Sequence, residues 1–231
     1  MIAQDPSIAP GLAAQELMRE LVLVWLGFER RLAKVPVVER IEEGRVTADE
    51  YRALLRDLRA QVVEGARWIT RAASNFGADH LELRSEVIGH AQEEHRDYEM
   101  LEKDYAAMGG DVAEMRRAQR NIGTEALSAF MFQQASQPDP VDLLGAMFII
   151  EGLGNHMAAR WAGSIQAALG VGPGCTRFLG YHGANDERHL EKLARIAGSK
   201  AVNHGNIPRI VKTAKVVARL YILQLEELDH V

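Results

Sequence analysis

A chain of 231 residues can bury a substantial core without disulfides, and it reads as one domain spanning residues 1–231. Hydrophobic residues make up 47% and charged residues 26%, and a net charge of -5 excludes a surface built for nucleic acid or for anionic membranes. The single cysteine, Cys175, excludes an intramolecular disulfide and fits a reducing compartment, so a cytoplasmic protein is expected.

Almost every segment has helical period, and no alternating run bounded by turn residues insists on a strand. A first helix is predicted from about Leu12 to Lys34, ending before Pro36. Its apolar run "LVLVWLGF" is too short to span a bilayer and has no basic leader before it, so neither an anchor nor a signal peptide is expected. "TADE", Thr47 to Glu50, has the spacing of a capping box and starts a second helix to about Ala73. A third runs from about Asp79 to Met108 and ends at Gly109-Gly110. "EMRRAQRNI" and "TEALSAFMFQQA" give two further pieces before "SQPDP" breaks the chain. A long helix from about Val141 to Leu169 stops at "GVGPG", another runs from about Cys175 to Ala197, and a last one follows "NHGNIP". The expectation is an all-α bundle of about seven or eight helices.

Ionisable residues on the buried face of a helix are costly unless partnered, so their positions carry information. In the Cys175–Ala197 helix the apolar stripe reads Phe178, Leu179, His182, Asp186, His189, Leu193 and Ile196. Two histidines and an aspartate interrupt the core there. In the long helix, Glu151 sits at the centre of a stripe of Leu144, Met147, Phe148, Ala158 and Ala162. In the third helix, Glu94 lies on the stripe of Val87, Ala91, Tyr98 and Leu101, with His90 and Asp97 slightly off its axis. His95 and Glu86 lie further round, on the flank. Each of these residues alone is as readily a hydrogen-bonded or solvated side chain. Together they give three histidines and four carboxylates from three helices, a donor set that suits iron, manganese or zinc, with two divalent ions balancing four carboxylate charges.

"EG" in the long helix, followed by "HGANDERH", resembles the heme-oxygenase-like superfamily, and within it the iron-containing branch of diiron oxidases and oxygenases. That branch carries His-x3-Asp-x2-His on its last metal helix, met here by His182, Asp186 and His189, and a mid-chain glutamate that falls on Glu151. "HAQEEHRDYEMLEKDYAAMGGD" is similar to its first metal helix, although Asp97 stands where a histidine is usual and His90 and Glu94 share the positions used for glutamate. The nearest match to a further glutamate on the preceding helix is Gln61, with Glu64 one turn on. The resemblance implies one or two non-heme irons, a small organic substrate, dioxygen as co-substrate, and a homodimer. It implies no heme, because the first histidine in the chain is His80, far past the first helix. Cys175 lies in no motif of the thiaminase-II-type branch.

Two competing readings remain open. One is a non-catalytic or metal-free helical protein that binds a small ligand on the same scaffold. The other, a ferritin-like carboxylate bundle, expects Glu-x2-His on two helices, and the helices that carry the candidate ligands offer only Asp-x2-His at Asp186 and His189.

Overall fold

The structure is a computed structural model that describes residues 11–229, with the backbone alone for residues 185–188. The described residues form eleven α-helical segments and no strand. In order they are α1 (Leu12–Leu32), α2 (Pro36–Glu42), α3 (Ala48–Asn75), α4 (Leu81–Glu94), α5 (Tyr98–Ala107), α6 (Val112–Arg117), α7 (Ile122–Ala135), α8 (Leu143–Leu153), α9 (Ala159–Leu169), α10 (Arg177–Ala197) and α11 (Ile207–Glu226). A π-helical turn, Gly154–Ala158, joins α8 to α9 without a break, so the segments make ten helices rather than seven or eight. No helix among them is long and apolar enough to cross a membrane.

The extra helices have local causes. Pro36 stands at the first position of α2, where its missing N–H costs nothing and its fixed φ suits a helix start. The single third helix expected from the sequence is two, α4 and α5, parted at His95–Asp97. There the His95 Nδ1–H donates to the Gln92 carbonyl at 2.7 Å, and the Asp97 N–H reaches back three residues to Glu94 at 3.2 Å. Both interactions replace the four-residue pattern of a continuing α-helix. The capping box that opens α3 forms as its spacing predicts: the Thr47 hydroxyl accepts the Glu50 N–H at 3.3 Å, and the Glu50 carboxylate accepts the Thr47 N–H at 2.7 Å.

One continuous core runs through the bundle, and α8 passes along its centre. Two glycines let neighbours close on α8. A Cβ at Gly145 would stand 2.0 Å from the Ile210 carbonyl oxygen of α11, and one at Gly152 would stand 2.8 Å from the Trp25 ring of α1. Helix α4 is seated differently. It packs on α3 but stands off from α8 and α10, and it buries only Leu83 and Ala91 fully. Polar side chains bridge that gap.

Candidate metal centre

Four segments aim ionisable side chains into the space between α4, α8 and α10. Helix α4 supplies His90, Glu93 and Glu94, the turn after it supplies Asp97, α8 supplies Glu151, and α10 supplies His182 and His189. Glu151, Asp97 and His189 are only 5–6% exposed. The helix break explains Asp97. The tightened turn carries its side chain inward, where the Oδ2 atom lies 3.4 Å from His182 Nε2. The π turn has a matching effect on the other side. Gly183 of α10 rests on its end, where a Cβ would meet the Ala159 nitrogen and Cβ at 2.8 Å, and this approach seats the His182 turn beside Glu151's helix.

The donors fall into two groups. In His90, Glu94 and His189, one ligand atom from each lies within 4.8 Å of the others, and the same holds for Glu94, Asp97 and His182. Glu94 belongs to both. Glu151 closes the first group, with Oε1 3.5 Å from His90 Nε2 and Oε2 2.7 Å from His189 Nδ1. His189 Nδ1 also lies 3.7 Å from Glu94 Oε1. Two atoms held about 2.1 Å from a common ion at octahedral to tetrahedral angles lie about 3.0–3.4 Å apart, close to most of these separations. His90 Nε2 and Asp97 Oδ2 are buried and make no hydrogen bond, which a protein seldom tolerates without another partner. The donor set therefore fits divalent metal, and two imidazoles with one carboxylate is a donor group typical of non-heme ferrous sites.

The carboxylates titrate apart. Burial would raise Glu151, but the hydrogen bond from His189 and the close imidazoles of His90 and His189 outweigh it and hold the group at about 2. Burial raises Glu94 to about 7, helped by the charges of Glu151 and Asp97 and opposed by those of His182 and His90. Between pH about 2 and 7 the two neighbouring carboxylates thus divide into one ionised group and one that is mostly protonated.

Of the seven residues expected from the sequence, the structure brings together His90, Glu94, Asp97, Glu151, His182 and His189. Asp186 lies on α10, and its side chain is outside the described residues. Gln61 and Glu64 of α3 border the centre through a cavity of about 60 Å³ that also touches His90, Glu94 and Glu151. Glu64 is ion-paired there, with Arg67 at 2.7 Å and Arg120 at 2.5 Å. Glu86 and His95 stay outside, Glu86 3.7 Å from Arg195 and His95 on the Gln92 carbonyl. Cys175 sits in the 3-10 turn before α10, away from the cavities, where its carbonyl accepts the Tyr51 hydroxyl at 2.7 Å.

Glu93 is the residue that the helical stripes missed. Its Oε2 accepts from His189 Nε2 at 3.1 Å, and Lys192 holds both its oxygens at 2.7 Å. His189 thus turns Nδ1 to the centre and Nε2 to Glu93. The sequence signal is faint: a second glutamate beside Glu94, and a lysine three residues after His189.

A family described as iron-containing redox enzyme matches residues 52–222. No curated protein sequence matches the chain. Among solved structures, a domain of unknown function with a heme oxygenase-like fold from Shewanella denitrificans aligns with a TM-score of 0.84 at 18% identity, covering 93% of this chain and 92% of that one. A TenA homolog from Pseudomonas syringae pv. tomato aligns with a TM-score of 0.74 at 11% identity over 100% and 99%. A putative TenA-like thiaminase from Sulfolobus solfataricus aligns with 0.62 at 11% identity over 96% and 97%. These likenesses carry the fold alone.

Proposed function

The chain belongs to the iron-containing redox enzyme family of the heme-oxygenase-like superfamily, and we propose that it is a non-heme iron oxidase or oxygenase that uses dioxygen on a small organic substrate. The observation that carries this reading is the sharing of Glu94 by two groups of donors, which supports a pair of adjoining metal positions rather than one. His90, His189 and Glu151 would complete the first position, and Asp97 and His182 the second, with Asp186 one turn beyond His182 on α10. Ferrous iron held by these residues would supply electrons to dioxygen for oxidation of a C–H or N–H bond.

The chain's own residues do the rest. Glu94, Glu151 and Asp97 offset the cationic charge, Glu93 orients His189, and the surrounding apolar side chains keep bulk water from the centre. Elemental analysis after anaerobic ferrous loading, followed by an ultraviolet-visible scan on exposure to oxygen, tests the proposal. Close to two irons per chain and a new absorption band are expected. Less than about half an equivalent with no spectral change overturns it.

A second reading, a metal-free binder of a small ligand, draws on one observation: His189 pairs with Glu151 at 2.7 Å, and Lys192 with Glu93 at 2.7 Å, with no ion needed. That reading expects no stoichiometric metal and ligand binding that survives removal of His182 and His189.

A further inference from the structure

On the far side of Glu94 from α4 lies a second cavity of about 90 Å³, walled by α3, α8, the π turn, α9, α10 and α11. Sixteen residues line it, and its acidic residues and its histidine, Glu94, Glu151 and His182, are all candidate ligands. Among the described residues no lysine or arginine reaches it. The other walls are Leu54, Leu58, Ile150, Phe178, Leu225 and similar apolar groups. Trp161 contributes its ring alone, since its Nε1–H donates outward to Glu42 at 2.7 Å. Two polar residues remain in the lining: Gln61, whose Oε1 accepts from Gln224 Nε2 at 2.8 Å, and Tyr221 of α11. Phe178 packs against His182 with ring centroids 4.3 Å apart and planes tilted by 53°, so the apolar wall runs directly onto the donor set. The π turn supplies Gly154 and Ala158 to the wall, and its wider coil helps to open the space.

We propose that this cavity is the substrate chamber and that it takes a compact, uncharged, apolar molecule or group of about the size of a benzene ring. The proposal rests on the oxidase reading for the word substrate, and on the cavity alone for the ligand class. A carboxylate entering here would surrender its water with no lysine or arginine among the lining residues to pair with it, and an ammonium would meet only Glu94 and Glu151, the carboxylates that the oxidase reading assigns to metal. An apolar ring loses nothing and fills space that the core leaves open. The size sets an upper bound: an apolar cavity of about 150 Å³ in an engineered lysozyme binds benzene, and this one, at about 90 Å³, takes a ring of that size only if its apolar walls yield. The cavity beside α4 differs, because Glu64, Ser128 and the Arg120 pair give it a polar rim.

The test uses the full chain, metal-free and iron-loaded, with four probes that share one ring: benzene, phenol, benzoate and benzylammonium. Benzene and phenol are expected to raise Tm by about 3–5 °C at ten times their Kd and to perturb tryptophan fluorescence, and the charged pair to do neither. Ala158→Leu fills the chamber from the π turn and should abolish the benzene shift, and Leu58→Phe does so from α3 if the first variant does not fold. Benzoate or benzylammonium binding as tightly as benzene overturns the proposal. So does a benzene shift that survives both filling variants, or no shift with any probe. Because ring binding is read on metal-free protein, rings that bind a chain unable to hold iron would leave the chamber standing and remove the oxidase reading.

Discussion

His189 Nε2 lies 3.1 Å from Glu93 Oε2, on the side of the ring opposite the Glu151 oxygen that Nδ1 meets at 2.7 Å. A carboxylate outside a ligating histidine fixes the ring's orientation and raises its basicity as a ligand. Glu93→Ala should therefore weaken metal binding by about 10–100-fold. Glu93→Gln should recover part of the loss, because an amide oxygen still accepts the Nε2–H. Cobalt titration followed in the visible range checks both, and equal affinity in all three proteins would exclude an orienting role for Glu93.

The two overlapping donor groups predict a pattern of stoichiometry. Asp97→Ala removes a donor from the second group only and should reduce bound iron from about two to about one per chain. Glu94→Ala removes the residue common to both and should leave less than about one. His182→Ala should behave like Asp97→Ala. Elemental analysis of desalted, ferrous-loaded protein separates these outcomes, and equal iron content in the Asp97 and Glu94 variants would deny Glu94 its shared place.

The helical period and the capping box at Thr47 made the bundle legible in the sequence, and the apolar stripes located Glu94, Glu151, His182 and His189 because a buried ionisable residue is itself a signal. Asp97 was legible as a residue but not as a position. A stripe drawn through an unbroken helix leaves it off-axis, and nothing in "EEHRD" announces the break, since the competing bond comes from the side chain of His95. The π turn is silent as well, because the apolar stripe that carries Glu151 continues across "GNHMA" to Ala158 and Ala162. Glu93 was invisible because its side chain is 46% exposed and its partners His189 and Lys192 come from another helix. Period reports which face is buried, and a half-exposed residue that reaches across a gap follows no period.

Asp57 gives the fold a pH dependence separate from the metal. It is buried between α3 and α7, where the Thr124 hydroxyl donates to Oδ1 at 2.6 Å and Oδ2 has no hydrogen-bond partner. Burial raises its pKa to about 6, against the hydrogen bond from Thr124 and the polar side chain of Gln224 nearby, which lower it. The folded state then keeps a proton that the unfolded state releases near the ordinary carboxyl value of 3.8, so stability falls as pH rises from about 4 to 6 and levels off above. The expected loss is on the order of 2–3 kcal/mol. Asp57→Asn stays neutral and still accepts from Thr124, so the difference in urea stability between variant and parent should grow in the variant's favour from pH 4 to 7. A constant difference would mean that Asp57 ionises freely in the folded protein.

Two glycines one turn apart on α10 predict opposite responses to the same substitution. A Cβ at Gly180 meets nothing within 4 Å, whereas one at Gly183 would stand 2.8 Å from the backbone nitrogen of Ala159. Gly180→Ala therefore only removes the entropic penalty of glycine inside a helix and should stabilise by about 0.5–1 kcal/mol. Gly183→Ala gains the same propensity but must push α10 off the end of the π turn, and overpacking of that kind costs about 1–3 kcal/mol, so its net effect is destabilising. The displaced turn carries His182 away from Asp97, so Gly183→Ala should also weaken metal binding while Gly180→Ala leaves it unchanged. Thermal unfolding and cobalt titration of the pair check both effects, and a Gly183→Ala protein as stable as the parent with full metal affinity would show that the contact with Ala159 does not hold the site in place.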